Sequence, residues 1–116
     1  MKRVEAIISA EKVSAVSEAL RNVGVGGATI LDAKGRGKGE KPRIQTAKGT
    51  RALSAAEFSS RANVVAVVDD PEVEKVITAI LDTTSTGSPG DGKIFVSTVT
   101  EAIDIGTRKR GQTAIA

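Results

Sequence analysis

Between Thr86 and Lys93 the chain reads Thr-Gly-Ser-Pro-Gly-Asp-Gly-Lys, directly ahead of the run Ile94-Phe95-Val96. Glycines at 87, 90 and 92 around Asp91 let a backbone turn tightly and come close to a ligand. Amide N–H groups bared by such a turn can cradle phosphate oxygens, and Lys93 at the strand mouth adds a point charge. The same spacing also fits a plain glycine-rich turn with a solvated lysine, so by itself the motif is a hypothesis.

A second set of charged residues lies earlier. From Lys34 to Arg61 the basic residues are Lys34, Arg36, Lys38, Lys41, Arg43, Lys48, Arg51 and Arg61, against only Glu40 and Glu57. Gly35, Gly37, Gly39 and Gly49 are interspersed. Little here can bury itself, so a solvated, mobile segment is expected, either a connector or an arm that meets anions or a partner protein. Other chemistries are closed. The 116 residues contain no Cys and no His, which removes thiolate and imidazole metal sites, Cys nucleophiles, His bases and disulfides. Two Phe and no Trp or Tyr leave no stacking platform for single strands and no aromatic belt for a membrane. No apolar run is long enough to span a bilayer and no signal-peptide pattern is seen, so a cytoplasmic binding domain is expected.

The elements that must position these residues follow from periodicity. Arg3 to Ile8 alternates, with Val4, Ala6 and Ile8 on one face and Arg3, Glu5 and Ile7 on the other. Ser9 is placed to cap a helix over about Ala10 to Val23, whose stripe is Val13, Val16, Leu20 and Val23. Gly24, Gly26 and Gly27 end it, and a strand follows over about Ala28 to Ala33. After the basic segment, Asn63 to Val68 reads as a central strand buried on both faces. Asp70 then Pro71 reads as an N-cap and first helical residue. Val73, Val76, Ile77, Ile80 and Leu81 stripe a second helix reaching Thr84. Ile94 to Val99 is the last strand, and a basic tail carries Arg108, Lys109 and Arg110.

Two β-α-β halves predict an α+β, ferredoxin-like split βαβ fold (βαββαβ) in one domain over 1–116, with a four-stranded antiparallel sheet and both helices on one face. The core must come from Val, Ile, Leu and Ala, and the second sheet face is also apolar. Association of copies through their sheets is the simplest way to cover it.

The stretch T-G-x-x-G-D-G-K-I-F-V resembles the C-terminal signature of the P-II signal-transduction family, the nitrogen regulatory proteins. M-K-R-V-E-A-I-I and G-V-G-G-A-T-I resemble the family's opening, G-R-G-K at 35–38 the start of its long T-loop, and D-D-P-E-V-E-K-V-I-T-A-I its second helix. The resemblance implies a homotrimer of ferredoxin-like subunits with a T-loop over about 36–60 and a C-terminal tail over about 104–116. It implies an adenine nucleotide (ADP, AMP or ATP, with or without magnesium) in clefts between subunits, and a T-loop that changes shape with the ligand and docks on a target. The target would be a transporter or metabolic enzyme. Carried over by residue, Ile7, Gly27, Ala28 and Thr29 would surround the base. Gly35, Arg36, Gly37 and Lys38 would lie near the phosphates, joined by Gly87, Gly90, Asp91, Gly92 and Lys93. Arg61 stands where the family keeps a Lys beside a small carboxylate ligand, so such an acid or bicarbonate is a second candidate ligand.

Three departures bear on the ligand. Asp104 and Gly106 stand where family members usually carry two arginines that clamp the polyphosphate, leaving Arg108 or Arg110 to reach back instead. Gly39 or Glu40 replaces the Gln that helps hold magnesium and 2-oxoglutarate. The T-loop has no Tyr to be uridylylated. A diphosphate or monophosphate is therefore expected to bind at least as well as ATP. The leading reading is a non-enzymatic regulator of nitrogen metabolism or transport, with a regulator of bicarbonate or carbon metabolism sensing ADP or AMP as the alternative. A basic nucleic-acid-binding protein is more remote, because the formal net charge is only +3.

Overall fold

In a computed structural model of the chain, the structure describes residues 1–37, 44–46, 49–51 and 58–115. Strand β1 (Lys2–Ser9) is followed by a 3-10 turn over Ala10–Lys12 and helix α1 (Val13–Asn22). Strand β2 (Thr29–Gly35) leads toward the basic segment, within which β3 (Ile44–Thr46) and β4 (Gly49–Arg51) pair as a two-stranded antiparallel ladder. Strand β5 (Ser59–Val68) returns. A 3-10 turn over Asp70–Glu72, helix α2 (Val73–Thr84), strand β6 (Gly92–Thr98) and the short α3 (Gln112–Ile115) complete the order.

Four strands form one antiparallel sheet in the order β2-β5-β1-β6, the α+β arrangement expected. The pleat of β1 and β5 decides which face is core. Val4, Ala6 and Ile8 on β1 and Ala62, Val64, Ala66 and Val68 on β5 are all buried, together with Val16 and Leu20 of α1 and Val76 and Ile80 of α2. Both helices therefore lie on one side of the sheet. Fully burying each Val, Leu or Ile contributes about 1.5–3 kcal/mol, which is how a core without aromatics holds.

Four local expectations are corrected. β5 is not buried on both faces: its even-numbered residues from Ala62 to Val68 are buried, but its odd-numbered ones are only half-buried in this chain, because nothing in one copy covers the far side of the sheet. Ser9 makes no capping bond; its hydroxyl accepts from Arg61 instead. The residue that precedes the second helical segment is Asp69, while the Asp70 carboxylate pairs with the amino terminus at 3.1 Å, and Pro71 sits in the first turn as expected. That amine, by hydrogen bond and by charge, holds the Asp70 carboxyl below the ordinary carboxylate range. The segment between β2 and β5 carries a β ladder where only loop was expected. On the uncovered face, β2 and β6 present Leu31 and Phe95 half-exposed, since each sits on an edge strand.

Candidate functional site

The site begins where β6 meets β1. Gly92 pairs with Ile8 and Lys93 with Ile7. Gly92 has φ +128°, and a Cβ there would stand 2.0 Å from the Ile7 carbonyl oxygen. No side chain fits, so this glycine is dictated by the approach of two backbones and the turn before it is pinned against β1.

Asp91 organises that turn. Its carboxylate accepts from the Thr86 hydroxyl at 2.5 Å and from the Thr86 amide at 2.6 Å. The Thr86 hydroxyl foremost, then the Thr86 amide and more weakly those of Ser88 and Gly87, hold the Asp91 carboxyl below its ordinary value against a small opposing effect of burial. The Asp91 amide donates to the Ser88 carbonyl at 3.1 Å, and the Gly90 amide to the Ser88 hydroxyl at 3.2 Å. Of the amides expected to face a phosphate, those of Gly90 and Asp91 are engaged within the turn by Ser88. The Thr86 amide goes to the internal anion, Asp91, and the Asp91 and Ser88 roles are ones that the Thr-x-x-x-x-Asp spacing only hints at through its turn chemistry.

Cations approach the turn from two strands. Lys93 is exposed at the mouth of β6. From β5, Arg61 donates through Nη1 to the Gly90 carbonyl at 2.9 Å and to the Ser9 hydroxyl at 3.4 Å. Its stem lies across the end of β2, with Cγ 3.1 Å from where a Cβ of Gly35 would be. Beside it the root of the basic arm is closed by Ser59, whose hydroxyl donates to the Gly35 carbonyl at 3.4 Å, and by Arg36, whose guanidinium stands 5.7 Å from the Phe58 ring centroid. Ser9, Phe58, Ser59, Thr86 and Ser88 are the members that residue types alone did not reveal.

A cleft of about 450 Å³ opens beside the turn, between α2 and β6. Ile8, Ile77, Ile80, Leu81, Ile94 and Val96 give it an apolar floor, and Gly87, Ser88, Asp91 and Lys93 a polar end. Among the described residues no group of His, Cys, Asp or Glu side chains is arranged to hold a metal.

The sequence-derived residues fall into three places. Ile7, Gly35, Arg36, Arg61, Gly87, Gly90, Asp91, Gly92 and Lys93 surround the turn and the arm's root, with the exposed Gly37 just beyond; Lys38 lies outside the described residues. Gly27, Ala28 and Thr29 lead into β2, at the opposite edge of the sheet from Lys93. That is three strand spacings, roughly 14 Å, so one chain does not bring them together. Arg108 and Arg110 belong to a small hairpin closed by the Ile103–Arg110 bridge, with the Arg108 amide donating to the Asp104 carbonyl at 2.8 Å. Arg110 pairs with Glu101, and neither arginine lines the cleft. Asp104 is a turn brace: it accepts the Thr107 amide at 2.8 Å, and Thr107, first by that amide and then by its hydroxyl, holds its carboxyl below the usual range.

With this geometry in hand, the family model for nitrogen regulatory protein P-II matches residues 1–109, which takes in the turn, the arm and most of the tail hairpin. The chain belongs to the P-II family. It is 40% identical over 115 residues to the nitrogen regulatory protein P-II of Rhodospirillum rubrum, covering 99% of this chain and 100% of that protein. The proteins of that name from Bradyrhizobium diazoefficiens and Rhizobium meliloti are 41% and 42% identical over the same length and coverage. The matches to these relatives run over nearly the whole of each chain. Arg110 falls just past the matched span. No described helix is long and apolar enough to cross a membrane.

Proposed function

We propose that this P-II family chain is a non-enzymatic regulator that takes an adenine nucleotide between subunits of a homotrimer and turns its occupancy into a posture of the basic arm. The observation that carries the reading is the turn pinned by Gly92, with Lys93 and Arg61 converging on it and Arg61 resting on the arm's root. Two cations beside a tight backbone suit a phosphate-bearing ligand. The remaining base-side residues, Gly27, Ala28 and Thr29, sit at the far edge of the sheet, so a complete pocket needs the β2 edge of one copy and the β6 edge of another. Such a boundary site makes ligand binding and assembly interdependent.

The arm then acts as the output. Nucleotide favours one of its arrangements, and a cytoplasmic target with an acidic surface, a transporter or an enzyme of nitrogen metabolism, selects among them. The tail favours the smaller nucleotides. Asp104 and Gly106 build the hairpin turn, Arg110 is spent on Glu101, and no tail cation lines the cleft, so the third phosphate gains little. ADP or AMP as the signal fits a regulator of carbon or bicarbonate metabolism as well as one of nitrogen, and Arg61 keeps Nε and Nη2 donors for a small carboxylate or bicarbonate. Calorimetric titration with ATP, ADP and AMP, with and without 2-oxoglutarate or bicarbonate, tests the reading. ADP or AMP binding at least as tightly as ATP is expected; ATP preference strengthened by 2-oxoglutarate would contradict it.

A further inference from the structure

We infer that a polar island on the uncovered sheet face, Arg3–Glu5–Asn63, fixes the orientation in which a second copy of this chain covers that face. The odd-numbered positions of β1 and β5, opposite the buried even-numbered ones, lie on this face. Glu5 stands on β1 with Val65 of β5 on one side and Phe95 of β6 on the other. Asn63 stands on β5 between Ile7 and Leu31. Apolar neighbours thus flank a carboxylate and an amide in the middle of the sheet. The carboxylate of Glu5 accepts from Arg3 Nη1 at 3.3 Å and from Asn63 Nδ2 at 3.0 Å. Its side chain is 19% exposed, and that of Arg3 41%.

Stability of the single chain does not account for the island. Asn63 commits its amide nitrogen to Glu5 and leaves Oδ1 buried without a hydrogen-bond partner, a loss that an apolar side chain of similar volume would not incur. What the island adds is direction. Apolar contact is non-directional, so Leu31, Val65 and Phe95 against their counterparts tolerate sliding and rotation, whereas a charged hydrogen bond is lost on either. The island fits a second copy because it holds both halves of such a bond. Among the described residues the Arg3 side chain bonds only Glu5, which leaves its Nε and Nη2 donors over, and each Glu5 oxygen, with one donor, can accept again. Arg3 of one copy and Glu5 of the next can therefore pair across the boundary, with Asn63 holding the carboxylate in place. Repeated around a ring, one such heterologous pairing closes the set. A strongly anionic partner fits less well, since it would meet Glu5 at the centre of the face.

This inference rests on the homotrimer proposed for the chain, and the test separates the two. Masses are read without nucleotide, by native mass spectrometry and by light scattering on dilution. The unaltered chain should give one species of three chains. Replacing the island as a whole, with Arg3→Leu, Glu5→Leu and Asn63→Leu together, should leave the assembly at least as resistant to dilution but spread it over more than one multiple of the chain mass. Glu5→Gln alone keeps the shape and weakens the pairing with Arg3, and should raise the concentration at which the assembly dissociates about tenfold. A single three-chain species in the folded triple variant overturns the inference and leaves the homotrimer standing. Unchanged dissociation in Glu5→Gln overturns it as well, and decides the matter should the triple variant fail to fold. An unaltered chain that stays monomeric overturns the homotrimer and this inference with it.

Discussion

At the scale of single residues, Asp91 and Lys93 divide the labour of the turn. Asp91 spends its charge inward, on Thr86 and its neighbours, while Lys93 points its charge outward. Hydrogen bonding depresses the folded pKa of Asp91, so its contribution to order is fully present above the unfolded value of about 3.9 and is lost as pH falls through the lower folded value. A carbon-13 titration of the Asp91 carboxyl should show a midpoint below that of an isolated Thr86–Lys93 peptide. Coincident midpoints would mean that the brace does not persist in solution. Lys93→Ala should weaken ADP binding about 10- to 100-fold, the loss of one charge-assisted contact, with the oligomer intact; unchanged affinity by calorimetry would place the phosphates elsewhere. The glycine and lysine types were legible in the sequence, but not where their amides point. Residue types tell which groups are able to receive an anion; only the fold showed that Asp91 already occupies the Thr86 amide.

Among elements, the β1–β6 contact governs the site. Gly92→Ala forces a methyl against the Ile7 carbonyl at a φ that L residues avoid, and should cost about 3 kcal/mol, measurable by chemical denaturation. A change below about 0.5 kcal/mol would show that β6 can slide away from β1 there. Ile80→Ala, which empties core under the cleft, should cost about 2–5 kcal/mol and loosen the floor on which the turn rests. Strands and helices were legible because their periods are dictated by burial: Val4, Ala6 and Ile8 on β1, Val16 and Leu20 on α1, Val76 and Ile80 on α2 all face inward as their spacing requires. The ends were not. Ser9 and Asp70 have the chemistry of caps, yet each is claimed by a distant partner, Arg61 and the amino terminus, that local pattern cannot see. The double burial read into β5 failed for a related reason, since a second cover for the sheet has to come from outside the chain.

For the whole molecule, Thr29 on β2 and Lys93 on β6, both proposed to reach the nucleotide, lie on opposite sheet edges, and a sheet face carrying Leu31 and Phe95 is open. The proposed assembly would account for both features. Light scattering should give three times the mass of one chain, and Phe95→Glu on the uncovered face should lower that mass; a monomer in the unaltered protein would leave Thr29 and Lys93 unable to share a ligand. Nucleotide binding at the turn is tested most directly by a calorimetric titration of the protein with ADP. Saturable binding, one site per chain, that weakens in Lys93→Ala is expected. Heat no greater than that of dilution at millimolar ADP would contradict it, whatever the oligomeric state.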